Sequence, residues 1–233
     1  MTVPTTELGT TTDVKALRAI FDPNGLHLVD LGCGAGDLAR KLAYVGATVL
    51  GVEPDAAQAE KNAAATAVDR VSFVQACAHE MPVDEGSSDG VMFSLSLHHV
   101  PKDLMQASIE KAIGVLKPDG FLAVVEPLFA GSYNDCIELF HNEEAVRKDA
   151  EAAVKQFAAP HFDRWQQFFY TTETHYDNFD EFSDRYVNMT YLTFHADVVR
   201  SDVVRQRFEA CREGDRYCLR SPMRIDFFTA KKH

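Results

Sequence analysis

No stretch of this chain stays apolar for the roughly 20 residues needed to cross a bilayer. The polar opening Met1-Thr-Val-Pro-Thr-Thr-Glu7 lacks the basic and apolar regions of a secretory leader. A cytoplasmic protein with no membrane partner is therefore expected. Cysteine is sparse: Cys33, Cys77, Cys136, Cys211 and Cys218 are scattered, odd in number and form no C-x-x-C pair. That pattern argues against a disulfide framework and a zinc site, and no metal is expected. Positive charge is also short, with 23 Lys and Arg against 35 Asp and Glu. The resulting net charge of −12 repels a phosphate backbone, so nucleic acid is not expected as a partner. Aromatic residues are scarce in the first half, where only five of the 24 Phe, Tyr and Trp precede Pro127.

What remains is an ordinary globular composition, 46% hydrophobic and 25% charged over 233 residues, which fits one core with elaborations. From Leu26 to Lys117 short apolar runs alternate with amphipathic or alanine-rich stretches, the order of a parallel sheet flanked by helices. Strands are predicted at His27–Leu31, Thr48–Glu53, Val71–Gln75, Gly90–Ser94 and Phe121–Glu126. Helices are predicted at Val14–Phe21, Gly36–Val45, Ala56–Thr66 and Lys102–Leu116. Beyond Pro127 the pattern predicts a long helix from about Tyr133 to Phe157 and a strand over Arg164–Tyr176. Helices over Phe179–Tyr191 and Val198–Arg212 and a final strand over Met223–Lys231 complete it.

The segment Val29-Asp30-Leu31-Gly32-Cys33-Gly34-Ala35-Gly36 carries the most information: an apolar run closes on an acid, and three alternate glycines precede a helical pattern. This is a strand entering a tight nucleotide-binding turn. A turn that holds pyrophosphate disfavours a carboxylate two residues before its first glycine, because like charges would meet at short range. A cofactor carrying a cation tolerates it. S-adenosylmethionine has a sulfonium and an ammonium and no phosphate. Seventeen residues after Gly36, Glu53 ends the next predicted strand, where a carboxylate can accept two ribose hydroxyls.

Together with these features, Phe73–Pro82, Asp89–Val100 and Val115–Leu122 resemble blocks of the class I S-adenosylmethionine-dependent methyltransferases, in the right order. The resemblance covers roughly residues 25 to 126 and is nearest to the small-molecule branch related to the ubiquinone and menaquinone biosynthesis methyltransferases. It implies an α/β, Rossmann-like, mostly parallel seven-stranded sheet with helices on both faces and a helical cap inserted between strands five and six. The chain then reads as a single methyltransferase domain over 1–233, with a cofactor-binding core at 25–126 and a substrate-side cap and final strands at 127–233.

The resemblance also implies roles. Gly32, Gly34 and Gly36 let the backbone approach the cofactor, Asp30 acts near its ammonium end, and Glu53 takes the ribose hydroxyls. Ala78 offers a backbone N–H to the adenine and Met81 a soft apolar contact, while Ser94 and Leu95 border the methionine part. Cys77 departs from the family, which usually has an acid there to accept the adenine amine; a thiol is a poor acceptor. His99, preferred over His98, and Glu126 are the candidate catalytic residues, since either could take a proton from an acceptor.

Asp89 reads better as a turn or strand-start residue. His141, Glu143 and Glu144 read as a solvated helix face because no second histidine completes a metal set nearby in sequence. Tyr133, Trp165, Tyr170, Tyr191 and Phe194 are candidates for an apolar or cation-accepting pocket. The arginines between Arg200 and Arg224 are interspersed with acids and read as a solvated surface. The expected activity is methyl transfer to an O, N, S or C nucleophile of a small molecule. The alternatives are a non-catalytic S-adenosylmethionine-binding scaffold and, less favoured, a nicotinamide-dependent oxidoreductase. The sequence leaves monomer and homodimer open.

Overall fold

The computed structural model describes residues 3–189 and 194–232. Strand β1 (Thr5–Thr10) and helix α1 (Asp13–Ile20) lead into β2 (His27–Leu31), α2 (Asp37–Tyr44), β3 (Thr48–Glu53), α3 (Ala56–Ala64) and β4 (Val71–Gln75). Then come β5 (Ser88–Ser94), α4 (Met105–Gly114), β6 (Leu116–Pro127), α5 (Gly131–Ile137) and α6 (Glu144–Ala153). The chain continues through β7 (Phe162–Tyr176), α7 (Phe179–Val187), α8 (Ala196–Val199), α9 (Asp202–Glu209), β8 (Arg212–Glu213) and β9 (Arg216–Lys231).

Among the described residues nine strands form one mixed sheet, ordered β1-β7-β9-β6-β5-β2-β3-β4, with β8 pairing β9. Pairs within β6-β5-β2-β3-β4 are parallel, as is β1 with β7, whereas β9 runs antiparallel to both β6 and β7. This corrects the expected strand number. β1 reads Thr-Thr-Glu-Leu-Gly-Thr, with one apolar residue, so it carries no alternating pattern to betray an edge strand. β8 is only two residues long.

Alternation along the central strands builds two cores. Val29 and Leu31 of β2, Val91 and Phe93 of β5 and Leu122 and Val124 of β6 pack on one face with Ile109 of α4 and Ala150 of α6. Leu28, Met92, Ala123 and Val125 pack on the other with Leu17 of α1 and Leu42 of α2. Strands buried on both faces read as nearly unbroken apolar runs, which is why these strands were legible, although β5 and β6 begin earlier than the expected Gly90 and Phe121. Asp89 staples their amino ends: its carboxylate accepts His27 N–H at 2.8 Å and Lys117 Nζ at 2.7 Å. Desolvation opposes this charge, but Lys117 and His27 outweigh it and hold the carboxyl below its ordinary range.

The aromatic second half forms a third core. Cys136 and Ile137 of α5, Phe182 and Tyr186 of α7, Phe208 of α9 and Leu219 of β9 enclose it. Phe182 and Phe208 are fully buried with ring centroids 5.1 Å apart. The long β7–β9 ribbon, paired from Phe162↔Lys231 to Tyr176↔Tyr217, carries the sheet out to this cluster. The single helix expected over Tyr133–Phe157 is instead two. Asn142 Oδ1 accepts the Glu144 backbone N–H at 3.0 Å, an Asx turn that restarts the helix. α6 then loosens into a π turn over Val154–Ala158 and a 3-10 turn over Ala159–His161.

Candidate active site

A cavity of about 670 Å³ opens at the carboxyl ends of the parallel strands. Its walls include Asp30 of β2 and Cys33 just after it, Ser94 at the end of β5 with Leu95, His98 and His99 beyond it, and Tyr133, Asn134, Glu143 and Arg147 from the α5–α6 region. Ligand crevices form at this end of open α/β sheets.

The glycine turn is built by steric necessity. Gly32 has φ +67°, and a Cβ there would lie 2.6 Å from Ser96 Cβ. Gly34 has φ +52° but faces open space. The peptide at Gly34 is pinned on both sides: its N–H donates to Glu53 Oε2 at 2.8 Å, and its carbonyl accepts from Asn62 Nδ2 at 2.8 Å. Gly36, in the left-handed region, sits against the Phe73 ring at the start of α2. Glu53 also accepts the Asp55 N–H through Oε1 at 2.9 Å, which leaves each of its oxygens a further lone pair.

Asp30 is the most unusual group of this turn. It is 1% exposed, its Oδ1 has no hydrogen-bond partner among the described residues, and it lines the cavity. Burial, followed by the Glu53 charge, pushes its pKa up to about 7. Burial first, then Asp30 and Glu53, also push the neighbouring Cys33 thiol up to about 12. No cation is among the groups that shift Asp30. The residues present fit a cofactor that brings one, since an ammonium here would relieve both the desolvation and the like-charge repulsion.

On the adenine side expected from the sequence, Cys77 is exposed and Ala78 begins a 3-10 turn, Ala78–Glu80. Met81 is buried in the core behind that turn, so its side chain supports the loop rather than presenting an open apolar surface. Leu95 holds the left-handed region at φ +58° without being glycine, and its side chain is 41% exposed at the cavity. Strained residues of this kind cluster at functional sites.

The candidate proton acceptors separate. Glu126 does not line the cavity; it is 4% exposed and fully engaged beneath it. Its Oε1 accepts the N–H groups of Leu97 at 3.0 Å and His98 at 3.4 Å, and its Oε2 meets His98 Nδ1. His99 does reach the cavity. Surrounding protein, then His98, lower its pKa to about 4, so its ring is neutral at pH 7 although its outer edge meets solvent.

Glu143 corrects the solvated-face expectation, because it is 7% exposed. His141 Nε2 contacts its Oε1 at 2.8 Å, Arg147 donates to its Oε2 at 2.6 Å, and His98 Nε2 lies 3.8 Å from Oε1. Desolvation would raise its pKa, but His141, His98 and Arg147 together hold it down to about 2. Of the five aromatic pocket candidates, Tyr133 and Phe194 line the cavity. Trp165 instead donates to Asp226 at 2.9 Å and Tyr170 to Asp13 at 2.7 Å, while Tyr191 lies outside the described residues. Sequence reasoning missed Arg147 and Arg185, both on the cavity wall. The Glu143–Arg147 spacing of four residues was the available signal, and it reads equally well as a surface pair.

Comparison with known proteins agrees with this geometry. Residues 29–124, which span the glycine turn, Glu53 and the strand ends of the cavity, match the family model described as Methyltransferase domain. This core is similar to methyltransferase domains. An uncharacterized methyltransferase of Synechocystis is 36% identical over 102 residues, covering 44% of this chain and 47% of the relative. A demethylmenaquinone methyltransferase of Clavibacter sepedonicus is 32% identical over 114 residues, covering 48% and 46%. The chain thus spans about half the length of these curated relatives. In fold alone, a protein of Bacillus halodurans superposes with a TM-score of 0.62 at 17% identity, covering 95% of this chain and all of the other.

Proposed function

We propose that this protein transfers the methyl group of S-adenosylmethionine to a small molecule that enters the cavity. The carrying observation is the buried carboxylate of Asp30, unpartnered at Oδ1 among the described residues, at the entrance to a glycine turn and in the cavity wall. On this reading the chain works as one unit, with 25–126 holding the cofactor and 127–233, including the α5–α6 insertion after β6, closing over the acceptor. The free cysteines accord with a reducing cytoplasmic setting.

In this assignment Asp30 pairs with the ammonium, the backbone at Gly32, Gly34 and Gly36 admits the methionine part, and Glu53 takes the ribose diol. The loop at Cys77 and Ala78 borders the adenine with Met81 behind it, and Ser94 and Leu95 flank the reacting end. Bound there, the cofactor supplies a methyl group already activated on a sulfonium. The protein's remaining work is to align a nucleophile and exclude water. His99, with a neutral imidazole on the cavity, accepts the acceptor's proton where one must leave. Glu126 acts as a positioning residue through His98.

Calorimetric titration with S-adenosylhomocysteine, with reduced nicotinamide dinucleotide as the comparison, tests the reading. Micromolar binding of the former alone is expected, followed by label transfer from S-adenosylmethionine in an acceptor screen. Binding of the dinucleotide instead overturns it. Homocysteine-nucleoside binding without transfer to any acceptor leaves a cofactor-binding scaffold.

A further inference from the structure

The same cavity holds a second cluster that the glycine turn does not explain. His98 and His99 come from the turn after β5, and Glu143 comes from the segment that precedes α6. One donor atom from each lies within 4.8 Å of the other two, and all three residues line the cavity. We propose that His98, His99 and Glu143 form a binding site for a first-row divalent metal ion.

Three further observations support it. First, the Glu126 carboxylate engages His98 Nδ1. With the proton on that side, Nε2 presents its lone pair toward Glu143 Oε1, 3.8 Å away. Two donors at that separation suit a shared ion with bonds of about 2.1 Å each, and a carboxylate behind a histidine is the usual support of a metal ligand. Second, the buried charges do not balance. With His98 and His141 neutral, the buried carboxylates of Glu126 and Glu143 are opposed by one guanidinium, Arg147, among the described residues. Third, the donors come from separate chain segments, so an ion would tie the insertion to the sheet end. His141, 2.8 Å from the same Glu143 oxygen, is placed to yield its hydrogen bond or to join the set.

Two imidazoles and a carboxylate favour zinc, iron(II) or manganese over magnesium or calcium. The face toward the cavity is left for an oxygen ligand. If the methyl-transfer reading holds, that ligand is the acceptor, and its class is a hydroxylated small molecule whose O–H the ion acidifies. His99 then serves as a ligand rather than a base: the ion lowers the pKa of the bound O–H, and the proton passes to solvent water.

Cobalt(II) is the probe, titrated into the full chain with visible absorption as the readout. One ion per chain with d–d bands is expected, weakened at least tenfold in both His99→Ala and Glu143→Gln. Glu143→Gln keeps volume, so its folding can be verified by circular dichroism. A separate grouping of Glu173, His175 and Cys218 serves as the control. His175→Ala leaves the signal unchanged if the proposal is right, and a sulfur-to-cobalt band lost in His175→Ala would assign the ion there and overturn it. Failure of folded protein to bind cobalt, or binding indifferent to His99→Ala and Glu143→Gln, also overturns it. A protonated His98 bridging Glu126 and Glu143, visible as an imidazolium in nitrogen NMR with no cobalt uptake, is that negative result with its cause. Because cobalt binding is read without S-adenosylhomocysteine, its failure is distinct from failure of the methyl-transfer reading.

Discussion

Ser96 fills the space that a side chain at residue 32 would need. Its Oγ donates to the Leu31 carbonyl at 2.5 Å, which fixes its Cβ 2.6 Å from the position of a Cβ on Gly32. Gly34, two residues on, has no such neighbour. Gly32→Ala therefore combines left-handed strain with overpacking and should cost about 3 kcal/mol of stability. Gly34→Ala should cost only about 1 kcal/mol but place a methyl in the open space assigned to the cofactor. Urea unfolding together with S-adenosylhomocysteine calorimetry separates them: the first variant loses stability, the second mainly affinity. Equal stability losses would contradict the placement of Ser96.

Asp30 is kept at a cost to the empty protein. Its pKa in the fold, about 7, stands above the ordinary 3.8, so the fold holds this proton more tightly than the unfolded chain. Its contribution to stability is thus complete below about pH 4, falls as pH rises, and levels off above about pH 7. Asp30→Asn removes the penalty and should stabilise the ligand-free protein at pH 8 by up to about 4 kcal/mol. The gain should vanish near pH 4, and cofactor affinity should fall. Unfolding midpoints at the two pH values test the sign.

The same group predicts proton release. Glu53 raises the Asp30 pKa and no cation opposes it among the groups that shift it, so a ligand ammonium arriving there should lower it. Near pH 7, S-adenosylhomocysteine should displace about half a proton, and affinity should rise with pH through this range. Titrations in two buffers of different ionisation enthalpy measure it. Equal apparent enthalpies would place the ammonium away from Asp30.

The half of the site that sequence exposed lies within consecutive strand-turn-helix units, where Asp30, the glycines and Glu53 are close in sequence and in space. β2, β3 and β4 have the bounds their apolar runs suggest. The other half is tertiary. Glu143 and Arg147 have the spacing of a solvated helix pair, and only the break at Asn142 and the packing against His98 bury them. The direction of β9 was equally hidden, because alternation marks a strand without saying which neighbours it runs against.

Cys77 is exposed at the loop where an acid is expected by resemblance. Cys77→Asp should retain or tighten S-adenosylhomocysteine binding, since a carboxylate accepts the adenine amine better than a thiol does. A loss beyond tenfold, about 1.4 kcal/mol, would place the adenine elsewhere.

Glu126 and His98 form a buried pair whose carboxylate also holds two backbone N–H groups at the turn after β5. Glu126→Gln keeps the shape but replaces one acceptor oxygen with a donor, so Leu97 N–H and His98 cannot both be satisfied as before. Breaking a buried pair in this way should cost on the order of 3 kcal/mol, read by urea unfolding. On the proposed positioning role through His98, the same variant should shift the His98 ring nitrogen signals while leaving S-adenosylhomocysteine affinity within a few fold. Wild-type histidine signals in a variant with lost turnover would instead place Glu126 in direct contact with the acceptor.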